Sequence, residues 1–133
     1  MTLVDTNILL DLVTNDPTWA DWSQRQLEAA MLKGPLLMNS VVYAELSVRF
    51  DRIEALDAVV EEADLIIEEI PRSALFLAGK AFLRYRTSGG AVLPDFFIGA
   101  HAAVAGHPLL TRDSGRYQTY FPSVTLISPE TSP

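Results

Sequence analysis

The sequence contains no cysteine. That excludes disulfides, Cys-ligated zinc and thiol catalysis, and it is compatible with a reducing compartment. Histidine is nearly as scarce, at two residues. The scarcity favours oxygen ligands over nitrogen and sulfur at any metal site. Positive charge is also short: Lys and Arg number 10 against 17 Asp and Glu, for a formal net charge of −7. A surface of that sign does not attract nucleic acid as a whole. It leaves room for a nuclease, because bound cations and a few local arginines offset repulsion where a substrate docks. Long apolar runs are missing too. Phe96 to Gly106 comes nearest, but it is too short to span a bilayer and contains His101. The N-terminus has no basic stretch, and Asp5 falls where a signal peptide is apolar. These absences predict a soluble, cytoplasmic protein with no membrane contact.

What is present is apolar. Of 133 residues, 49% are hydrophobic and 20% charged, which fits one globular domain over residues 1–133 with a single core. No repeat, low-complexity tract or linker interrupts it. Short apolar runs alternate with amphipathic stretches. "TLVD" reads as a first strand, followed by helical turns from Asn7 to Val13. A helix over Thr18 to Lys33 sets Trp19, Trp22, Leu27, Ala30 and Met31 inward and stops at Gly34-Pro35. "PLLMN" is a second strand, and Ser40 a candidate cap for a helix to Phe50. Asp51 opens another helix to Ala63, and Leu65 to Ile67 is a third strand. Pro71 starts a helix reaching Arg86, "TSGGAVLP" is a loop, and Pro94-Asp95 opens a helix to Ala105. "PLLT" and "VTLI" are the last strands, separated by Arg112 to Tyr120, and "SPETSP" is a frayed tail. Strands alternating with helices predict an α/β fold, a central parallel sheet of about five short strands with helices on both faces.

The first strand ends on a carboxylate. Asp5 closes "TLVD", where strands disfavour Asp and burial of an unpaired charge is costly. Asp113 follows the fourth strand, Asp95 opens a helix, and Glu45 lies inside the apolar "SVVYAELSVRF". In a parallel sheet, strand ends and helix starts share one crevice at the carboxyl edge. Carboxylates brought together there raise one another's pKa, and a hard cation such as Mg²⁺ or Mn²⁺ relieves the conflict. Taken singly, each acid has a plainer reading. Asp95 can cap its helix, Asp113 can sit in a turn, and Glu45 can pair with Arg49 one turn on. Asp11 reads as a surface or helix-end residue, His101 as an ordinary helix residue and His107 as a loop residue. Asp5 has the fewest plain explanations.

"LVDTNILLD", "YAEL", "PDFFIGAHA" and "LLTRDSGRYQTYFPSVTLISP" together resemble the four motif regions of PIN-domain nucleases. More narrowly, they resemble VapC-type toxins of toxin–antitoxin pairs, in order and over essentially the whole chain. The resemblance implies a PIN-like three-layer fold and a Mg²⁺- or Mn²⁺-dependent endoribonuclease. It matches Asp5, Glu45, Asp95 and Asp113 to the family's four acidic positions, as metal-holding and catalytic residues. Thr6 and Asn7 match the polar residues beside the first acid. Thr111 or Ser114 matches the hydroxyl near the fourth. It also implies a homodimer and a VapB-like antitoxin whose C-terminal segment covers the groove. Arg112 and Arg116, flanking Asp113, are candidates to meet RNA phosphates.

Two other readings remain open at this level. One is a PIN-like module that binds without cleaving. The other is a Mg²⁺-dependent phosphatase or phospho-receiver, which also ends its first strand on Asp. The phosphatase would need a second Asp at position 7, where this chain has Asn7, and both would use a late lysine, where the chain has only Lys33 and Lys80.

Overall fold

The structure is a computed structural model and describes residues 1–85 and 93–129. Its elements run β1 (Thr2–Val4), α1 (Thr6–Val13), α2 (Ala20–Met31), β2 (Leu36–Met38), α3 (Ser40–Ser47) and α4 (Ile53–Glu62). They continue with β3 (Leu65–Ile67), α5 (Arg72–Tyr85), α6 (Leu93–Ala105), β4 (Leu109–Leu110), α7 (Ser114–Tyr120) and β5 (Leu126–Ile127). The strands form one sheet in the order β3-β2-β1-β4-β5, and every pairing is parallel. Right-handed crossovers in this order set α1 to α4 on one face and α5 to α7 on the other. The strands therefore need apolar residues on both sides. Leu3, Val4, Leu109 and Leu110 are fully buried, whereas Ile66 and Ile67 on the edge strand β3 stay half exposed.

β1 is central. The chain leaves it toward β2 on one side and returns to β4 on the other, with Leu3 opposite Leu109 and Val4 opposite Leu110. The order reverses there, so a crevice opens beyond the carboxyl ends of β1 and β4. An aromatic row holds the helices that border it. Phe82 of α5 meets Phe96 of α6 edge-on at 5.9 Å, and Phe96 stacks on Tyr120 of α7 at 4.6 Å. Tyr85 closes the row against Tyr120 at 5.2 Å. Such ring pairs each contribute roughly 0.5–1.5 kcal/mol beyond burial.

Several sequence expectations shift. Asn39, not Ser40, caps α3: its buried Oδ1 accepts from the backbone N–H groups of Val41 and Val42. Ser40 points to solvent, where it satisfies no helix donor. Asp51 does not cap α4, which starts at Ile53 after an uncapped Arg52. α2 starts at Ala20 because Asp16 takes the N–H groups of Thr18 and Trp19 into a turn around Pro17. Met31 ends that helix 46% exposed rather than inward. Ser128 is fully buried, so the tail begins later than "SPETSP" suggests. Most of the expected loop "TSGGAVLP" and the last four residues of the tail lie outside the described residues. No helix among the described residues is long and apolar enough to cross a membrane.

Gly99 of α6 packs directly against α7 and the residue that follows it. A Cβ built on Gly99 falls 2.3 Å from the Phe121 ring and 3.1 Å from that of Tyr117. Gly99→Ala is therefore overpacked and is expected to lower stability by about 1–3 kcal/mol, readable as a denaturation midpoint shift at constant m-value. Gly79→Ala, where nothing lies within 4 Å, serves as the control and is expected not to destabilise.

Candidate active site

Asp5 leaves the end of β1 directly into α1 and acts as the cap of that helix. Its Oδ1 accepts from the Thr6 N–H at 2.7 Å. Its Oδ2 accepts from the Thr111 hydroxyl at 2.8 Å and the Asn7 amide at 3.3 Å. The carboxylate is only 4% exposed. Burial raises its pKa from 3.8 to about 6; the Thr111 hydrogen bond pulls against this, and the Asp95 charge adds to it.

The other acids arrive from three more elements. Glu45, on α3, accepts from the Thr6 hydroxyl at 2.5 Å and so turns toward α1 rather than toward Arg49. Asp95 stands in the first turn of α6, and its carboxylate goes to Arg116 and to the Tyr117 hydroxyl at 3.4 Å. Asp113 sits at the start of α7, makes no cap bond, and faces Arg116 Nε at 3.4 Å. These four acids, with Thr6, Asn7, Leu10 and Arg116, line one cavity of about 220 Å³. The predicted constellation is thus brought together whole.

The supporting residues divide. Thr111 contacts the first acid directly: its hydroxyl donates to Asp5 and accepts from the Asp113 N–H at 3.0 Å and the Asn7 amide at 3.3 Å. Ser114 is buried at the start of α7. Arg116 reaches into the acids, linking Asp95 and Asp113. Arg112 does not. Its guanidinium grips Asp11 with two hydrogen bonds of 2.8 Å and lies over the Trp19 ring at 5.0 Å. The fork is already used by a carboxylate, which corrects the expectation that Arg112 meets phosphate. Asp11 is corrected with it, because it is 2% exposed rather than on the surface.

Sequence reasoning missed Tyr117. Its hydroxyl is buried against the acids, and burial, then the charges of Asp5 and Asp95, push its pKa well above the usual value. It therefore stays a neutral hydrogen-bond donor. Its place four residues after Asp113, one helical turn on, was the available signal. A second titratable group lies elsewhere: Glu68 Oε1 meets His101 Nε2 at 2.8 Å and His107 Nε2 at 2.7 Å. The Asn39 amide contacts His101 Nδ1 at 3.0 Å, and its Oδ1 is committed to the α3 cap. Nδ1 must accept, so Nε2 carries the proton and donates to Glu68. A metal-ligating His instead donates through its second nitrogen. The cluster is built as a hydrogen-bond network that joins His101 of α6 to His107, which lies in the loop before β4 as expected.

The PIN domain model matches residues 2–122. The chain belongs to the PIN domain family. Solved structures carry the same fold at low identity. VapBC2 from Rickettsia felis, bound to a DNA fragment from its promoter, is 20% identical with a TM-score of 0.72, over 96% of this chain and 97% of that one. FitAcB from Neisseria gonorrhoeae is 16% identical with a TM-score of 0.70, over 99% and 100%. VapBC-1 from nontypeable Haemophilus influenzae is 19% identical with a TM-score of 0.70, over 96% of each. Among curated proteins, none matches this sequence.

The raised pKa of Asp5 has a thermodynamic sign. In metal-free solution the folded PIN domain holds this proton more tightly than the unfolded chain does, with a pKa of about 6 against 3.8. Its contribution is fully present below the unfolded pKa and is lost as pH rises through about 6, on the order of 3 kcal/mol in all. Urea unfolding in EDTA between pH 4 and pH 7 is expected to show this fall. Asp5→Asn, which cannot titrate, is expected to flatten it.

Proposed function

We propose that this PIN domain is a Mg²⁺- or Mn²⁺-dependent endoribonuclease of the VapC type, acting in the cytoplasm and silenced by a protein antitoxin. The observation that carries the reading is the convergence of Asp5, Glu45, Asp95 and Asp113 on one cavity at the β1–β4 crevice. The donor set suits a hard cation: it is all oxygen, and burial and a neighbouring like charge raise the pKa of its most buried member to about 6, a conflict that a cation relieves. Asp5, Asp95 and Asp113 would hold the ion, with Glu45 completing a second position. When bound, the ion activates water and stabilises the leaving oxygen in phosphodiester hydrolysis.

The chain's own residues do the rest. Thr111, Asn7 and the Thr6 N–H fix Asp5 in one orientation, so little reorganises as the site fills. Glu45, steadied by Thr6, stands where it can orient the attacking water and receive its proton. Arg116 keeps 41% of its side chain exposed, and its guanidinium stands at the cavity mouth where an RNA phosphate would enter. The Tyr117 hydroxyl donates toward Asp95 and holds that carboxylate at the cavity wall.

Partner readings follow the same support. Similar folds occur in two-component VapBC and FitAB assemblies, which favours an antitoxin here. α5 presents Leu75, Phe76 and Leu83 to solvent at 44%, 68% and 57% exposure, an apolar face suited to a homodimer.

Cleavage of total RNA in Mg²⁺, with EDTA as control, tests the reading. Wild type is expected to cut only with the metal, Asp5→Asn to lose roughly 100-fold or more by analogy with other essential catalytic groups, and Mg²⁺ to raise the melting temperature of wild type alone. Metal-independent cleavage, or full activity in Asp5→Asn, would overturn it.

A further inference from the structure

Asp11 and Arg112 form the most buried ion pair among the described residues, and neither faces the cavity. Asp11 is 2% exposed and fully engaged: Oδ2 accepts from Ser23 Oγ at 2.6 Å and Arg112 Nε at 2.8 Å, and Oδ1 from Arg112 Nη2 at 2.8 Å. Trp19 covers the guanidinium from one side. A pair whose carboxylate is this deeply buried is an expensive way to hold a surface loop, since apolar residues of equal volume are often as stable. Geometry, rather than stability, is the better account of it.

Arg112 lies between Thr111, which orients Asp5, and Asp113, the fourth acid. It is held at two points by one helix. Its backbone N–H donates to Asn7 Oδ1 at 3.2 Å, and its side chain forks onto Asp11. Asn7 and Asp11 are four residues apart, one turn along the same face of α1. Two-point attachment fixes both the position and the rotation of the β4–α7 segment. That segment then sets the Thr111 hydroxyl on Asp5 and the Asp113 amide on Thr111.

We infer that Asp11 and Arg112 are positioning residues: a charge clamp that presets the β4–α7 segment against α1, so that Asp113 and Thr111 stand at working distance from Asp5 before any cation arrives. The inference rests on the nuclease reading for its consequence in activity, but not for the clamp itself. Ser23 orients Asp11, and Trp19 packs against one side of the guanidinium. Neither residue touches substrate.

Arg112→Lys keeps the charge, loses the fork and is expected to fold. The triple variant Asp11→Leu, Ser23→Ala, Arg112→Met removes the pair with its partner hydroxyl and leaves an apolar patch in its place. Amide exchange is read at Arg112 and Asp113, Mn²⁺ binding by calorimetry, and RNA cleavage as kcat against KM. Both variants are expected to melt within a few degrees of wild type while these two amides exchange faster. Mn²⁺ affinity and kcat are expected to fall about 10-fold, with KM for RNA little changed, the size usual for groups that orient metal ligands. Unchanged exchange and unchanged Mn²⁺ affinity in both variants would overturn the clamp. So would a rise in KM alone, which is the signature of an arginine that binds phosphate directly. If wild type itself neither binds Mn²⁺ nor cuts RNA, the nuclease reading fails, and the two amides still decide the clamp.

Discussion

The burial of one carboxylate at the open end of the central strand organises this protein. Asp5 has nowhere to go: β1 delivers it into the crevice, and α1 begins on it. A buried charge is tolerated only when its oxygens are occupied. Donors from two chain segments therefore converge on it, among them the Thr6 N–H, the Asn7 amide and the Thr111 hydroxyl. That requirement ties β4 to β1 beyond the sheet hydrogen bonds and places Thr111, and hence Asp113, beside the first acid.

The remaining acids make this arrangement electrostatically uneasy. Hydrogen bonds lower the pKa of Asp5, yet burial and Asp95 lift it to about 6. Arg116 offsets part of the charge of Asp95 and Asp113. A fold that concentrates like charge in a crevice gives up stability there. Close packing elsewhere compensates, through the aromatic row from Phe82 to Tyr120 and the contact of Gly99 with Phe121. The row does double service, because it also fixes the start of α6, which carries Asp95, and the body of α7, which carries Arg116 and Tyr117.

Much of the fold was legible because its signals are local. Strand runs such as "TLV" and "LLM" need apolar residues on both sides, and that shows in the sequence without knowledge of neighbours. Helix starts were read less well. Asn39 displaced Ser40 as a cap, since either can serve and only backbone geometry chooses. The acids themselves were visible only as residue types, at a strand end, at helix starts and, for Glu45, within an apolar helix. The most persuasive of them was Asp5, for which local structure offers little alternative use.

The sequence by itself determined the alternation of strands and helices and the supply of carboxylates beside the central strands, because these follow from residue chemistry and short-range periodicity. Tertiary structure alone decided where each side chain points. Arg112 and Arg116 are four residues apart with the same chemistry, yet one turns to Asp11 and the other to Asp95. Asp11 looked like a surface or helix-end acid and is buried, and His101, read as an ordinary helix residue, meets Asn39 and Glu68. In each case the deciding partner lies tens of residues away. Charge pairing acts through space at a few ångströms, whereas sequence periodicity reports only which face of an element is apolar.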